Sequence, residues 1–225
     1  MCTSVADCWR GLKRAVEQGL YLPSSFDAKE YLYYDANGDL HEVVKGKLFA
    51  FRGPVDPGWR SRRGRASSSK VVSSEVPSGT LHASDYTEVF RSLKITTIIR
   101  LNSSQYHSDV YTQAGFYHYD LVFPDCSLPP DSLVDAFLRI AEACQGAIAV
   151  HCMAGLGRTG TMVGLYLMKH LGFSANEAMG WLRIARPGSV IGPQQQYLKD
   201  NEARMWSLKR SGALGLGIPP SSRGT

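Results

Sequence analysis

The sequence predicts an α/β domain whose central sheet is covered by helices on both faces. Two observations carry that expectation. Short apolar or β-branched runs alternate along the chain with longer stretches whose apolar residues return every three or four positions, the order that layers helices onto a sheet. One such run, Ala147 to Val150, leads through Val150-His151-Cys152-Met153-Ala154-Gly155-Leu156-Gly157-Arg158-Thr159-Gly160 into a helical pattern carrying Met162, Val163, Leu165, Tyr166 and Met168. A strand, a glycine-rich loop and a helix N-terminus in that order make an anion site.

Taken in order, the first helix is expected over the stripe Cys8, Leu12, Ala15 and Val16, closing near Gly19. Tyr31 to Asp39 reads as an aromatic and acidic turn, and Lys47 to Phe51 as the first strand. Trp59-Arg60-Ser61-Arg62-Arg63-Gly64-Arg65, followed by Ser67, Ser68, Ser69 and Lys70, has no periodicity and is read as a basic, Ser-rich mobile loop over 56–80. Ser84 is expected to cap a helix with Tyr86, Val89, Phe90 and Leu93 on one face. Thr96 to Leu101 and Phe116 to Phe123 follow as strands, the second ending in Pro124-Asp125-Cys126. Asp131 to Cys144 has a helical stripe at Leu133, Val134, Phe137, Ile140 and Ala141. Beyond the glycine-rich loop and its helix, Ser174-Ala175-Asn176-Glu177 has the form of a capping box, opening a helix that stops at Arg186-Pro187-Gly188. Pro193 suits the first turn of a last helix running to about Lys209. The expected organisation is an N-terminal helical segment with a first strand over 1–55, the basic loop over 56–80, a catalytic domain over 81–210 and a disordered tail over 211–225.

At 225 residues the chain is long enough for one well-buried domain. No run approaches the roughly 18 apolar residues of a membrane span, so no membrane partner is expected, and no signal peptide is read at Met1-Cys2-Thr3. The net charge of +5 owes much to the Arg-rich stretch, which lacks the aromatic interleaving of a nucleic-acid surface, so no nucleic-acid partner is expected. Five cysteines, Cys2, Cys8, Cys126, Cys144 and Cys152, are odd in number and form no Cys-x-x-Cys pair. That usage points to a reducing compartment, cytoplasmic or nuclear, and to no structural metal. The sequence leaves the oligomeric state open.

Gly155 and Gly157 remove side chains that would block a tight loop, so backbone N–H groups can converge on one bowl. Helix dipole and Arg158 guanidinium both favour an oxyanion there. Cys152 faces the same field, which favours its thiolate, and a thiolate beside a bound phosphate is a nucleophile. Phosphate-ester chemistry then needs an acid for the departing oxygen. Asp125, on the loop after a strand, is the candidate. Asp120 lies within the strand pattern and Asp131 fits a helix start, where a dipole role suffices.

His151 to Gly160 resembles the active-site loop of the cysteine-dependent protein tyrosine and dual-specificity phosphatases. The stretch Ala185-Arg186-Pro187-Gly188-Ser189-Val190-Ile191-Gly192-Pro193-Gln194-Gln195-Gln196-Tyr197-Leu198 is similar to one branch of them, the mitotic-exit phosphatases of the cell-division-cycle fourteen family. Asp7-Cys8, Gly19, Glu30-Tyr31, Asn37-Gly38-Asp39-Leu40 and Phe51-Arg52-Gly53-Pro54 resemble the linker that precedes the catalytic domain in that branch.

The resemblance implies the phosphatase fold with a mixed central sheet, no cofactor, and phosphorylated proteins as substrates. It implies hydrolysis of phosphoserine followed by proline, phosphothreonine and phosphotyrosine through a phosphocysteine. Cys152 would attack and Arg158 would hold the phosphoryl group, wrapped by Met153, Ala154, Gly155, Leu156 and Gly157. Thr159 would donate to the sulfur, Asp125 would act as acid and then base, and Gln194 or Gln195 would orient water. His151 would brace the loop. Asp39, with Glu30 and Asp35 as nearby candidates, would form an acidic groove for a basic residue downstream of the phosphoserine. The loop has no lysine to meet the extra phosphates of a lipid headgroup, and Thr159 separates it from the regenerating-liver type, which has alanine there. Two other readings are a catalytically silent phosphopeptide-binding module and an RNA triphosphatase.

Overall fold

The computed structural model describes residues 3–36, 38–56 and 82–211, without the side chains of residues 35, 36, 210 and 211. The expected basic loop beyond Asp56 and the expected tail beyond Ser211 lie outside the described residues.

Five strands form one mixed sheet: β1 (Leu40–Val44), β2 (Leu48–Arg52), β3 (Ile95–Arg100), β4 (Tyr117–Asp120) and β5 (Ala147–Cys152), side by side in the order β1-β2-β5-β3-β4. Only β1 runs antiparallel to its neighbour; the other pairings are parallel. β5 lies in the middle and all its residues are buried, as a parallel strand covered on both faces must be. Its side chains alternate. Ile148 and Val150 join Ala50 and Ile99 in one core cluster, beneath α5 (Asp131–Ala143), α6 (Gly157–Leu171) and α7 (Ala175–Ala185). Ala147 and Ala149 join Phe49, Phe51 and Ile98 in the other, beneath the 3₁₀ turn Ala83–Tyr86, α3 (Thr87–Ser92) and α4 (Asp109–Gln113).

The strongest local signals become elements as expected. Ser174 and Glu177 form the reciprocal capping box of α7, with Glu177 N–H donating to the Ser174 hydroxyl at 3.2 Å and Ser174 N–H to Glu177 Oε2 at 2.8 Å. α5 ends one residue short of its expected bound, and α6 carries the whole stripe expected after Arg158.

Elsewhere the expectation needs correction. Lys47 to Phe51 corresponds to the second strand, because β1 precedes it; His41, a buried polar residue on β1, hides the alternation. The expected turn at Tyr31 is the helix α2 (Ala28–Ala36), whose first N–H groups, on Lys29 and Glu30, are accepted by Asp27 Oδ1 at 2.8 and 3.2 Å. Ser84 does not cap α3, which follows Tyr86 without a side-chain cap; it lies in the 3₁₀ turn before that helix, where His82 N–H donates to Asp85 Oδ2 at 2.8 Å. The last helix is two, α8 (Gln194–Asp200) and α9 (Glu202–Ser211), broken at Asn201. In α1 (Val5–Glu17) the buried face is Asp7, Gly11 and Ala15, and Val16 is exposed. Glycines decide that face. A Cβ on Gly11 would lie 2.5 Å from Trp181 N, and one on Gly180 would lie 2.3 Å from Asp7 O. α1 and α7 therefore meet backbone to backbone, which no apolar stripe announces.

Candidate active site

Three parallel strands deliver the site. β2 pairs Arg52 with Cys152, and β3 pairs Arg100 with His151, so Cys152 emerges at the end of β5 with a strand on either side. Cys152 is buried. The loop behind it closes onto β2. Gly155 has φ +70°, and a Cβ there would lie 2.0 Å from Phe51 O, so this position needs glycine on two counts. Gly53 N–H donates to Met153 O at 3.0 Å, and a Cβ on Gly53 would lie 2.3 Å from Cys152 O. Gly157 opens α6, whose unsatisfied N–H groups begin inside the loop. Met153 and Ala154 are exposed at the rim, Leu156 is half-buried, and Gly155 and Gly157 are buried.

Arg158 is buried, with Nη1 donating to Phe123 O at 2.9 Å and Leu101 O at 3.3 Å. Those carbonyls follow β4 and β3, so two strand ends aim the guanidinium. Its Nη2 lies 3.0 Å from Asp125 Oδ1, whose own side chain is largely exposed. Asp125 thus reaches the fork expected to hold phosphate. Its two competitors are occupied elsewhere. Asp120 accepts both arms of Arg100 at 2.6 and 2.9 Å, and Asp131 accepts from Arg204 at 2.6 Å.

Gln194 and Gln195 start α8, and the structure separates them. Gln194 is buried, donates to Ser127 O on the Asp125 loop at 3.3 Å, and its Oε1 would lie 2.9 Å from a Cβ on Gly157. It therefore bridges acid loop and phosphate loop, with Oε1 lacking a hydrogen-bond partner among the described residues. Gln195 is half-buried, and its Oε1 also lacks a hydrogen-bond partner among the described residues. The Thr159 hydroxyl is buried and likewise unpartnered among the described residues.

His151 is fully buried. Its Nδ1 faces Cys152 O at 2.9 Å, and its Nε2 faces Tyr106 OH at 2.8 Å, which in turn faces His118 Nε2 at 2.8 Å. A carbonyl can only accept, so His151 carries its proton on Nδ1 and its Nε2 accepts from Tyr106; the Tyr106 oxygen then accepts from His118 Nε2–H. Burial pushes His151 down to about 3, opposed by the bond to Cys152 O. Burial, then the Arg100 charge, pushes His118 down to about 4. Both imidazoles are neutral at physiological pH. His151 Nδ1–H thus holds the Cys152 carbonyl at the start of the loop.

Of the carboxylates expected to form an acidic groove, Asp39 and Glu30 have different surroundings. Asp39 Oδ1 accepts from Arg186 Nη1 at 2.7 Å, and Oδ2 accepts from Arg52 Nε at 3.3 Å. Glu30 instead lines a cavity of about 640 Å³ with Leu12, Phe26, Tyr31, Tyr34 and Trp181, to which no residue of the phosphate loop contributes. The Asp35 side chain lies outside the described residues. Sequence reading missed Arg186, Tyr106, His118 and Gly53 as parts of the site. Arg186 stood in the quoted motif, where the following Pro187 marked only a helix stop. Among the described residues no three His, Cys, Asp or Glu side chains are grouped to hold a metal, and no helix is long and apolar enough to cross a membrane.

Fold and site together define the class. The chain superposes on a solved structure of Tk-PTP in its active form with a TM-score of 0.55 at 24% identity, covering 73% of this chain and 97% of that one. PTPMT1 gives 0.57 at 18% identity, covering 77% and 98%. This is the protein tyrosine and dual-specificity phosphatase fold. A family model described as a polymorphic toxin system DSP-PTPase phosphatase matches residues 72–172. The dual specificity protein phosphatase CDC14AB of Danio rerio is 45% identical over 91% of this chain and 31% of its own length. CDC14A of Mus musculus is 42% identical over 99% of this chain and 35% of its own length. The tyrosine-protein phosphatase cdc-14 of Caenorhabditis elegans is 41% identical over 93% and 28%. The chain belongs to the CDC14 family of dual-specificity phosphatases, and it spans about a third of the length of the relatives it matches.

Proposed function

We propose that this chain is a metal-independent dual-specificity protein phosphatase that hydrolyses phosphoserine, phosphothreonine and phosphotyrosine in protein substrates through a phosphocysteine. The observation that carries the reading is the approach of Asp125 to Arg158 at 3.0 Å beside the loop that begins at Cys152. Nucleophile and phosphate clamp share one strand–loop–helix stretch and the acid comes from a separate loop, a gathering that a structural cysteine does not need.

In the first step the Cys152 sulfur attacks phosphorus and the ester P–O bond breaks, while Asp125 gives its proton to the leaving oxygen. Arg158 and the loop N–H groups stabilise the equatorial oxygens as charge builds on them. In the second step Asp125, now a carboxylate, takes a proton from water. That water attacks phosphorus, the S–P bond breaks, and inorganic phosphate leaves. The position of Gln194 between the two loops favours it over Gln195 for orienting the water. A donated hydrogen bond from Thr159 would stabilise the departing thiolate.

The odd, unpaired cysteine usage of the sequence supports a compartment that keeps thiols reduced, the cytoplasm or nucleus. Preference for proline after the phosphoserine is the finer part of the proposal, supported by the family likeness. The test is release of phosphate from p-nitrophenyl phosphate and from phosphoserine-proline, phosphoserine-alanine and phosphotyrosine peptides, with and without chelator. Turnover that survives chelator, is abolished by Cys152→Ser and extends to both residue classes is expected. A wild-type protein that binds phosphopeptide without releasing phosphate would establish a silent binding module instead.

A further inference from the structure

Arg186 is the largest fully buried side chain, 1% exposed, and none of its bonds goes to substrate chemistry directly. Its Nε donates to Gly155 O at 2.8 Å and its Nη2 to Ala154 O at 2.9 Å. Its Nη1, with two N–H groups, lies 2.7 Å from each of three acceptors, Asp39 O, Asp39 Oδ1 and His41 Nδ1, which share those hydrogens. One guanidinium therefore grips two consecutive carbonyls of the phosphate loop with one edge and is anchored by the start of β1 with the other. Its backbone is preset for this: before Pro187 it leaves the helix with φ −143° and ψ 94°. Asp39 is held at φ +49°, an uncommon conformation that persists when surrounding bonds impose it.

Peptide groups are planar and trans, so the N–H of each residue points opposite to the carbonyl of the residue before it. Pulling the Ala154 and Gly155 carbonyls back onto Arg186 turns the Gly155 and Leu156 N–H groups forward, away from that guanidinium. Gly53 N–H on Met153 O and His151 Nδ1–H on Cys152 O act in the same way on the two preceding peptides. Four consecutive carbonyls are thus tied from behind. We infer that Arg186 is a positioning residue that sets the polarity of the phosphate loop, and that Asp39 and His41 serve catalysis by holding its guanidinium in register rather than by touching substrate.

The inference rests on the proposed phosphatase chemistry, and its test separates the two. Wild type, Arg186→Lys, Arg186→Ala and Asp39→Ala are compared for kcat and KM on p-nitrophenyl phosphate, for inhibition by inorganic phosphate, and for Cys152 alkylation by iodoacetamide. Lysine is a point charge and cannot serve both edges, so Arg186→Lys should lose on the order of 10²-fold in kcat, with phosphate inhibition and alkylation rate each falling about tenfold. Guanidinium ion added to Arg186→Ala should restore part of the lost rate, which it would not do for a mere packing defect. A folded Arg186→Lys that keeps kcat and phosphate inhibition within about twofold of wild type overturns the inference. Should the Arg186 variants fail to fold, Asp39→Ala decides: an equal fall on p-nitrophenyl phosphate and on peptides with or without a downstream lysine supports positioning, whereas a fall confined to the lysine peptide overturns it. If wild type has no turnover, the proposed function fails, and calorimetric binding of inorganic phosphate to wild type and Arg186→Lys still decides this inference: a weaker variant supports it, and equal affinity overturns it.

Discussion

Lowering the pH from about 7 to about 5 should destabilise the domain through the two histidines behind Cys152. His118 and His151 have an ordinary value of 6.5 and are pushed down by burial to about 4 and about 3 in the fold. The sign follows from proton binding: below 6.5 the unfolded chain takes up protons that the native imidazoles refuse, so stability is present above that pH and is lost as pH falls toward the folded values. Over the 1.5 or so pH units between 6.5 and 5, each group costs about 2 kcal/mol, or about 4 kcal/mol for both, to order of magnitude. That is a large share of the ~5–15 kcal/mol that holds a typical domain together. His170, also lowered by burial, acts in the same direction, while Asp7, lowered by its bonds to Ser4, acts only in stronger acid. Urea unfolding at the two pH values measures the effect. In His118→Gln, whose amide can still donate to the Tyr106 oxygen, the acid-induced loss should shrink by about 2 kcal/mol, because one of the two linked groups is gone. An unfolding free energy that is the same at both pH values, or a variant that keeps the wild-type pH slope, would refute the reasoning.

Asp125→Asn should slow phosphoserine peptides by about 10²–10⁴ and p-nitrophenyl phosphate much less, since the latter leaves without a proton; equal losses on both would mean the acid is elsewhere. Gly180→Ala should destabilise the domain by about 1–3 kcal/mol, because the new methyl meets backbone of α1 and the two helices must separate; thermal unfolding reads this, and an unchanged Tm contradicts the backbone contact. Cys126 stands at φ +54° on the acid loop, so Cys126→Gly should gain about 1 kcal/mol in unfolding free energy, and a loss would show that the loop does not hold that conformation. Gln194→Ala should slow release of the phosphocysteine more than its formation, seen as a larger burst in rapid-mixing assays; the same result from Gln195→Ala alone would reverse their roles.

What the sequence determined by itself was whatever neighbouring residues encode. The strand, glycine loop and helix around Cys152 were legible because their signals lie within a dozen positions: an apolar run, two glycines, an arginine at a fixed offset and a helical stripe. The capping box at Ser174 and Glu177 was legible for the same reason. Even the missed helix α2 had a local sign in Asp27, overshadowed by the tyrosines and acids that suggested a turn. Asp125 was preferred to Asp120 and Asp131 from its place on a loop after a strand, but no local signal shows which partner each carboxylate meets. The tertiary structure gives Asp120 to Arg100, Asp131 to Arg204 and Asp125 to Arg158. It also brings Asp39 to Arg186, through a bond across 147 positions of chain. Those decisions belong to the fold because a buried charge or a backbone carbonyl takes the partner that packing brings within about 3 Å, and that distance is fixed only when segments far apart in sequence have come together.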